Sequence, residues 1–275
     1  MTETLAAPNA SASVGVLLQY WRKVRHLSQL ALAGQADISA RHLCFVETGR
    51  AKPSREMVLL LAATLDVPLR ERNALLLAAG FAPRFRETEL AAPRLHAVKA
   101  AFEAIMQQQE PYPAVLMNRH WDVVGSNGAA TRFFSHLLGP AAANQPGNVL
   151  RMMFDPQLLR PLVANWAEVA ETLLRRVQRE AVAGVRDELS ERLVAELLAY
   201  PDVPRRLQSP DPTAAPLPIV PLRFEKGART FNYFSTVTTL GTAQDVTLQE
   251  LRIECFFPGT TTPSATHESS AKRVG

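Results

Sequence analysis

Apolar residues recur along the first eighty positions at the spacing of one face of an α-helix. The first such series, at i, i+3, i+4, i+7 and i+10, is Val14, Leu17, Leu18, Trp21 and Val24. Serines at positions 28, 39 and 54 each precede a further helical segment, and a serine hydroxyl is a favoured helix N-cap. Pro68 and Gly80 bound a fifth segment. The pattern therefore predicts an all-α domain of five short helices at residues 14–86.

The pattern changes after the segment APRFRETELAAPR, residues 82–94, which we interpret as a hinge. A helix is predicted over residues 93–109, and two strands are predicted on either side of Asn118-Arg119-His120. Residues 128–200 are mostly helical in pattern. They include one long predicted helix from Pro156 to about Gly184.

Six prolines in residues 201–218 predict an extended connector. Three strand-like runs follow, at residues 218–225, 230–240 and 248–257. Helices combined with strands predict an α+β domain at residues 87–258. Ser, Thr, Ala and Pro dominate residues 1–13 and 259–275, so we expect disordered tails there.

The composition favours a soluble globular protein, with 47% apolar and 20% charged residues among 275. No apolar run approaches the roughly 18–20 residues of a membrane-spanning helix. The N-terminus has no basic start followed by an apolar stretch, as an export signal would have. Cys44 and Cys255 match no metal or redox spacing. We therefore expect a cytoplasmic protein without membrane contact, metal or cofactor.

The positive charge is concentrated in the N-terminal third. Residues 14–86 hold 11 Lys and Arg against 5 Asp and Glu, whereas residues 87–275 hold 19 against 20. Such an imbalance suggests a polyanion partner for the helical domain and a different role for the remainder.

Two short helices capped by Ser28 and Ser39, with only a few residues between them, match the helix-turn-helix arrangement, whose second helix enters the major groove of DNA. Leu43 and Val46 are expected to face the core. The outer positions of that helix are then Ala40, Arg41, His42, Cys44 and Phe45. We expect base contacts from Arg41 and His42, in the first turn of the helix. Further phosphate contacts are expected from Arg50, Lys52 and the helix N-termini at Gln29 and Ser39.

The segment LSQLALAGQADISARHLCFVETGRAKPS resembles the xenobiotic-response-element (XRE, Cro/CI-like) helix-turn-helix regulators. In that family an Arg of the first helix pairs with a Glu near the end of the recognition helix, which implies a structural ion pair between Arg22 and Glu47. The resemblance also implies DNA contacts at Gln29, Ser39, Arg41, His42, Arg50 and Lys52. Asp37 stands where the family usually has Gly, and Asp tolerates left-handed backbone better than most residues.

No catalytic arrangement is present in the remaining sequence. VGSNG is not a G-x-S-x-G nucleophile elbow, the histidines are scattered, and no Gly-rich phosphate loop occurs. We therefore expect that the protein is not an enzyme. Aromatic residues on strands and helices can line an apolar pocket or simply fill the core. The pocket candidates are Trp121, Phe134, Trp166, Phe224 and Phe234.

VLMNRHWDVVGSNGAATRFF, NVLRMMFDP and FFPG resemble the MmyB-type ligand-binding domain, which is PAS-like and follows an XRE-type domain in bacteria. The resemblance implies a sensor of a small lipophilic ligand such as a fatty acid. Residues 201–218 depart from it, because Pro-rich chain replaces an expected Phe/Trp segment. If the ligand is a carboxylate, its partner could be Arg119, Arg132 or Arg223.

These observations predict a bacterial, nucleoid-associated regulator that binds near-palindromic operator DNA as a homodimer and acts as a repressor. A ligand in the second domain would change its affinity for DNA. The alternative is a DNA-tethered module that only dimerises or recruits polymerase and binds no small molecule.

Overall fold

Five α-helices form the N-terminal part of the chain, as the apolar periodicity predicted. The computed structural model describes residues 8–9, 12–140, 147–182, 187–204, 207 and 219–259; most of the predicted tails and of the Pro-rich connector lies outside these residues. The helices are α1 (Val14–Val24), α2 (Gln29–Gln35), α3 (Ala40–Glu47), α4 (Arg55–Thr64) and α5 (Leu69–Ala78).

Serine hydroxyls cap the first four helices. Ser28 Oγ accepts a hydrogen bond from Ala31 N at 3.0 Å, and Ser54 Oγ accepts one from Met57 N at 3.2 Å. Ser13 and Ser39 occupy the same position at α1 and α3. The three serines predicted as caps are therefore confirmed. Helix α5 follows Pro68 and has no cap from the residue preceding it.

A close approach between α1 and α3 holds the helical part together. A Cβ atom added at Gly15 would lie 2.5 Å from Glu47 O and 2.6 Å from Val46 O. Only glycine therefore allows the two helices to approach this closely. The core between the helices is apolar and includes the fully buried side chains of Leu18, Leu32, Leu43, Val58 and Leu75.

The rest of the chain contains both helices and strands. The helices are α6 (His96–Gln108), α7 (Gly128–Leu138), α8 (Val149–Phe154), α9 (Trp166–Val182), α10 (Glu188–Ala199) and α11 (Val246–Glu250). The 3₁₀ helices are Pro93–Leu95 and Arg160–Leu162. The strands are β1 (Ala114–Met117), β2 (Val123–Ser126), β3 (Val220–Lys226), β4 (Arg229–Thr239) and β5 (Arg252–Pro258). No helix among the described residues is long and apolar enough to cross a membrane.

The five strands form one antiparallel sheet in the order β2-β1-β5-β4-β3. One face carries the main apolar core, which joins Met117, Phe224, Tyr233 and Phe256 of the strands to α7, α8 and α9. The first strand pair and the β3–β4 hairpin agree with the sequence prediction. The last strand pairs with both β1 and β4, which places it in the middle of the sheet.

The single long helix predicted from Pro156 to about Gly184 is wrong, because helix α9 begins only at Trp166. Pro161 lacks the backbone donor that a helix interior needs. Just beyond it, Val163 forms a β-bridge with Phe224, and Ala164 N donates to Arg223 O at 2.7 Å. Leu159 and Val163 are buried as predicted, but they lie in a turn and an extended segment.

The predicted strand at residues 248–257 begins too early. Asp245 Oδ1 accepts a hydrogen bond from Thr247 N at 3.0 Å, and Gln249 N donates to Asp245 O at 3.1 Å. These bonds stabilise the short helix α11, so the extended chain starts at Arg252.

The chain folds into two structural units whose segments interleave along the sequence. Of the described residues, the helical unit comprises those within 1–88, 179–191 and 241–249, and the sheet unit comprises the others. Within the helical unit, Leu69 N at the start of α5 donates to Gln249 Oε1 at 2.6 Å. Gln249 thus satisfies a backbone donor of a helix that lacks its own cap. The predicted domain bounds of 14–86 and 87–258 stay a prediction.

Candidate DNA-binding surface and ligand cavity

The orientation of helix α3 is set by two fully buried apolar residues, Leu43 and Val46. Leu43 is 0% and Val46 is 1% exposed, whereas Arg41 is exposed. The half-buried residues of α3 are Ala40, His42, Cys44 and Phe45. Asp37, in the turn before α3, has a φ of 52°, so the left-handed backbone expected at this position is present. The helix-turn-helix geometry thus leaves the first turn of α3 accessible.

The Arg22–Glu47 ion pair fixes α3 to α1. Arg22 Nε donates to Glu47 Oε1 and Arg22 Nη2 donates to Glu47 Oε2, both at 2.7 Å. The Glu47 side chain is 0% exposed, and its hydrogen bonds raise the pKa of Arg22. Gln29 Nε2 donates to the same carboxylate at 2.8 Å. Gln29 therefore belongs to this buried network through its side chain and to the N-terminus of α2 through its backbone.

The chain turns back toward α3 where that helix ends, at the start of the basic loop formed by residues 49–54. Gly49 has a φ of 73°, its N–H donates to Val46 O at 3.1 Å, and Arg50 N donates to Phe45 O at 2.8 Å. This pair of bonds is the Schellman motif, which favours glycine at its left-handed position. It holds Arg50 next to the last turn of α3, with Lys52 exposed two residues further along.

Two further features shape the exposed surface of α3. The Arg41 guanidinium lies 5.4 Å from the centroid of the Phe45 ring, one helical turn away. A cation stacked on a ring in this way is held near the helix surface. Ser39 is exposed, and its hydroxyl lies 3.5 Å from His42 N in the cap position. Arg55, which the sequence reasoning did not single out, is exposed at the start of α4, after the basic loop.

A mainly apolar cavity lies on the core face of the sheet. It encloses about 80 Å³. Its apolar walls are formed by residues of the sheet and of α7–α9, including Val115, Met152, Met153, Leu173 and Phe256. Its polar lining consists of Ser126, Thr131 and Glu254. Ser126 and Thr131 are exposed, so they mark the side on which the cavity opens.

Of the aromatic residues predicted to bind a ligand, the structure brings Phe134 and Phe224 to this cavity. Trp121 is 1% exposed, and the guanidinium groups of Arg176 and Arg252 lie 4.8 and 4.2 Å from the centroid of its ring. Trp166 packs on Phe154 at 4.8 Å between ring centroids. Neither tryptophan lines the cavity. Phe234 stacks on Phe257 at 5.3 Å, along a groove on the opposite face of the sheet.

None of the three predicted arginines lines the cavity. Arg119 Nη1 lies 3.3 Å from Glu250, and Arg132 Nη2 lies 2.6 Å from Glu110. Arg223 borders the groove on the opposite face and lies 3.7 Å from Glu225. Each of the three therefore has a carboxylate neighbour of its own.

Glu254 is the cavity residue that sequence reasoning missed. It is 5% exposed and lies in the middle of β5. The signal was an acidic residue inside the apolar run RIECFF, where a strand buried on both faces has no place for an unpaired charge. The pKa of the adjacent Cys255 thiol is raised, mainly by burial and to a smaller extent by the negative charge of Glu254.

Two family models match the chain. A helix-turn-helix model matches residues 18–72, and the model of the MmyB-like transcription regulator ligand binding domain matches residues 98–268, which is more than half of the chain. The chain belongs to the MmyB-like transcription regulators. A search of curated proteins found no significant match. This MmyB-like regulator thus combines a helix-turn-helix DNA-binding domain with a ligand-binding domain of helices and a five-stranded antiparallel sheet. Both resemblances seen in the sequence are confirmed.

Within the described residues of the MmyB-like regulator, no group of three or more His, Cys, Asp or Glu side chains is placed to hold a metal ion. Its two cysteines are free thiols, Cys44 on the outer side of α3 and Cys255 in the buried strand. The surface of α3 and the loop after it present cations and backbone amide groups, and the cavity presents an apolar wall with one carboxylate.

Proposed function

We propose that this protein is a bacterial, cytoplasmic repressor that binds a near-palindromic operator as a homodimer and changes its DNA affinity when a small, largely apolar molecule occupies the cavity. The observation that supports the DNA-binding part of this proposal is the orientation of α3. Its buried face is fixed by Leu43, Val46 and the Glu47 ion pair, so its first turn is free to enter a major groove.

Arg41 and His42 are proposed to contact base edges from that turn. A guanidinium that pairs with a guanine contributes roughly 1–3 kcal/mol of discrimination against another base. The stack of Arg41 on Phe45 supports this role, because it limits the conformations that the side chain must give up on binding. Ala40, Cys44 and Phe45 would lie against the groove wall.

Arg50 and Lys52 are proposed to contact phosphates. Both are exposed on a loop that two backbone hydrogen bonds hold at the end of α3. The backbone amides at the N-termini of α2 and α3, near Gln29 and Ser39, would bind further phosphates. These contacts position the protein and carry no sequence information.

The ligand half is supported by the apolar cavity within a domain whose family is a ligand-binding one. A ligand acts as a regulator only if it binds the DNA-competent and DNA-incompetent arrangements with different affinity. In a two-fold symmetric dimer the two α3 helices would read half-sites about one helical turn apart.

The test begins by selecting duplexes from a random pool with the purified full-length protein. Affinity is then measured for the selected duplex and for random DNA across a salt series. Arg41→Ala is expected to weaken the selected duplex more than random DNA, whereas Lys52→Ala weakens both alike and lowers the salt slope by about one. Lys99→Ala, an exposed lysine on α6, is the matched control and should change neither. Equal losses on both DNAs from Arg41→Ala would contradict base reading by Arg41.

A further inference from the structure

We infer that the ligand of the cavity carries an ammonium group on a compact apolar body, and that the Glu254 carboxylate binds this group. The inference rests on the ligand half of the proposed function and adds the chemical class of the ligand. It depends on three features of the sheet unit: the place of Glu254 in the strand register, the lack of a protein partner for its carboxylate, and the apolar character of the remaining wall.

The strand register places Glu254 in the cavity wall. Glu254 lies opposite Val115 of β1, and Val115 lies opposite Ser126 of β2. Residues directly opposite one another in antiparallel strands project from the same face of the sheet. Ser126, Val115 and Glu254 therefore form one row across three strands, all of which line the cavity. The row runs from the exposed hydroxyl at the opening to the buried carboxylate.

The carboxylate has no partner in the part of the chain that the structure describes. Glu254 is 5% exposed, and no hydrogen bond or ion pair joins its side chain to a described residue. The nearest arginine along the strand on the same face is Arg252. Its guanidinium lies over Trp121 at 4.2 Å, and its Nη2 donates to Arg119 O at 3.1 Å. The oxygen atoms of Glu254 retain some accessible surface, so the carboxylate faces the open space of the cavity and can accept hydrogen bonds from a ligand.

The rest of the wall fits an apolar body and a cation. Three aromatic rings line it, Phe134, Phe224 and Phe256, and the faces of such rings also attract cations. Met152 and Met153 are flexible side chains that adapt to the shape of a ligand. At about 80 Å³ the cavity is smaller than the roughly 150 Å³ of an apolar cavity that accepts benzene, so the ligand body is compact.

A fatty acid fits this wall less well. Its carboxylate would meet Glu254 as a like charge, which disfavours binding. The three arginines predicted as its partners lie away from the cavity, and each lies near a carboxylate of its own. An ammonium group instead supplies both the charge and the hydrogen-bond donors that Glu254 lacks.

Isothermal titration calorimetry on the full-length protein without DNA tests the inference. The probes are isopropylammonium, isobutyrate and laurate at neutral pH; the first two have the same small apolar body and opposite charges. We expect isopropylammonium to bind at least about tenfold more tightly than isobutyrate, and Glu254→Gln to remove this preference. Glu103→Gln, at an exposed glutamate on α6, is the matched control and should retain it.

Glu254→Leu supplies a second measurement that does not depend on binding. In the absence of ligand, the Glu254→Leu variant should be folded. Its unfolding temperature should be higher than that of the natural chain, because the substitution removes a carboxylate that has no partner. A lower unfolding temperature would show that Glu254 stabilises the fold, and would overturn its assignment to a ligand.

The outcomes separate this inference from the proposed function. Equal or tighter binding of isobutyrate or laurate would overturn the inference and leave a ligand-regulated repressor standing. Retention of the ammonium preference in Glu254→Gln would overturn the role of this residue. Binding of none of the three probes at millimolar concentration would count against both the inference and the ligand half of the function, while the DNA experiment would stand on its own.

Discussion

Removing one partner of the Arg22–Glu47 pair should unfold the DNA-binding helices locally. Arg22→Met deletes the two guanidinium hydrogen bonds to Glu47 and a third to Leu27 O, and it leaves a carboxylate that is 0% exposed with Gln29 as its remaining donor. An uncompensated buried charge of this kind is destabilising by about 3–5 kcal/mol. Since whole domains are stable by only about 5–15 kcal/mol, much of the stability of α1–α3 would be lost.

The assay is native-state hydrogen exchange read by mass spectrometry, because it reports each segment of a two-unit chain separately. Peptides from residues 14–47 should lose protection in Arg22→Met, while peptides from residues 220–258 serve as an internal reference. The exposed Lys99–Glu103 pair is the matched control, and Lys99→Met should change stability by no more than about 1 kcal/mol.

A double variant separates the charge from the packing. Arg22→Met combined with Glu47→Met removes both charges and keeps apolar volume, so it should recover most of the stability lost in the single variant. If Arg22→Met alone costs under about 1 kcal/mol, or if the double variant is less stable than Arg22→Met, the ion pair is not what fixes α3 to α1.

Three further outcomes are expected. Gly15→Ala should lower the unfolding temperature of the helical unit and abolish DNA binding, because its Cβ would meet two backbone carbonyls of α3; unchanged melting would contradict this. Gln249→Ala removes the hydrogen bond to Leu69 N, so it should raise the rate of hydrogen exchange at the start of α5 by about tenfold, which corresponds to a loss of roughly 1–2 kcal/mol in local opening free energy. An unchanged exchange rate would show that this bond does not stabilise α5. Burial raises the pKa values of Cys255 and Tyr233, so as the pH rises the unfolded state loses these protons before the folded state does. Denaturant titrations should therefore show the free energy of unfolding falling as the pH rises above about 9. A constant free energy of unfolding would contradict this.

The sequence predicted the helical part well because its signals are local. A serine cap, an apolar spacing and a glycine at a helix end each act within a few residues, so Ser28, Ser39 and Gly80 could be interpreted without knowledge of their neighbours in space. The Arg22–Glu47 pair lies 25 positions apart, and the resemblance to a known family supplied it.

The cavity was less predictable because it depends on strand register. Trp121 and Trp166 were sensible pocket candidates by residue type, yet both pack in the core beside the cavity. Glu254 faces the cavity only because β5 pairs with β1, and no local pattern reveals that pairing. The helix break before Trp166 likewise depends on contacts with β3, more than fifty residues later.

The interleaving of the two units determines how the protein can be dissected. A fragment cut after residue 88 would retain α5 without Gln249, and the complementary fragment would expose the surface of residues 241–249 that packs on the helices. Neither fragment therefore keeps all the contacts that its residues make in the full chain. Ligand and DNA measurements on truncated chains would report altered stability, so point substitutions in the full chain are the sounder way to assign each function.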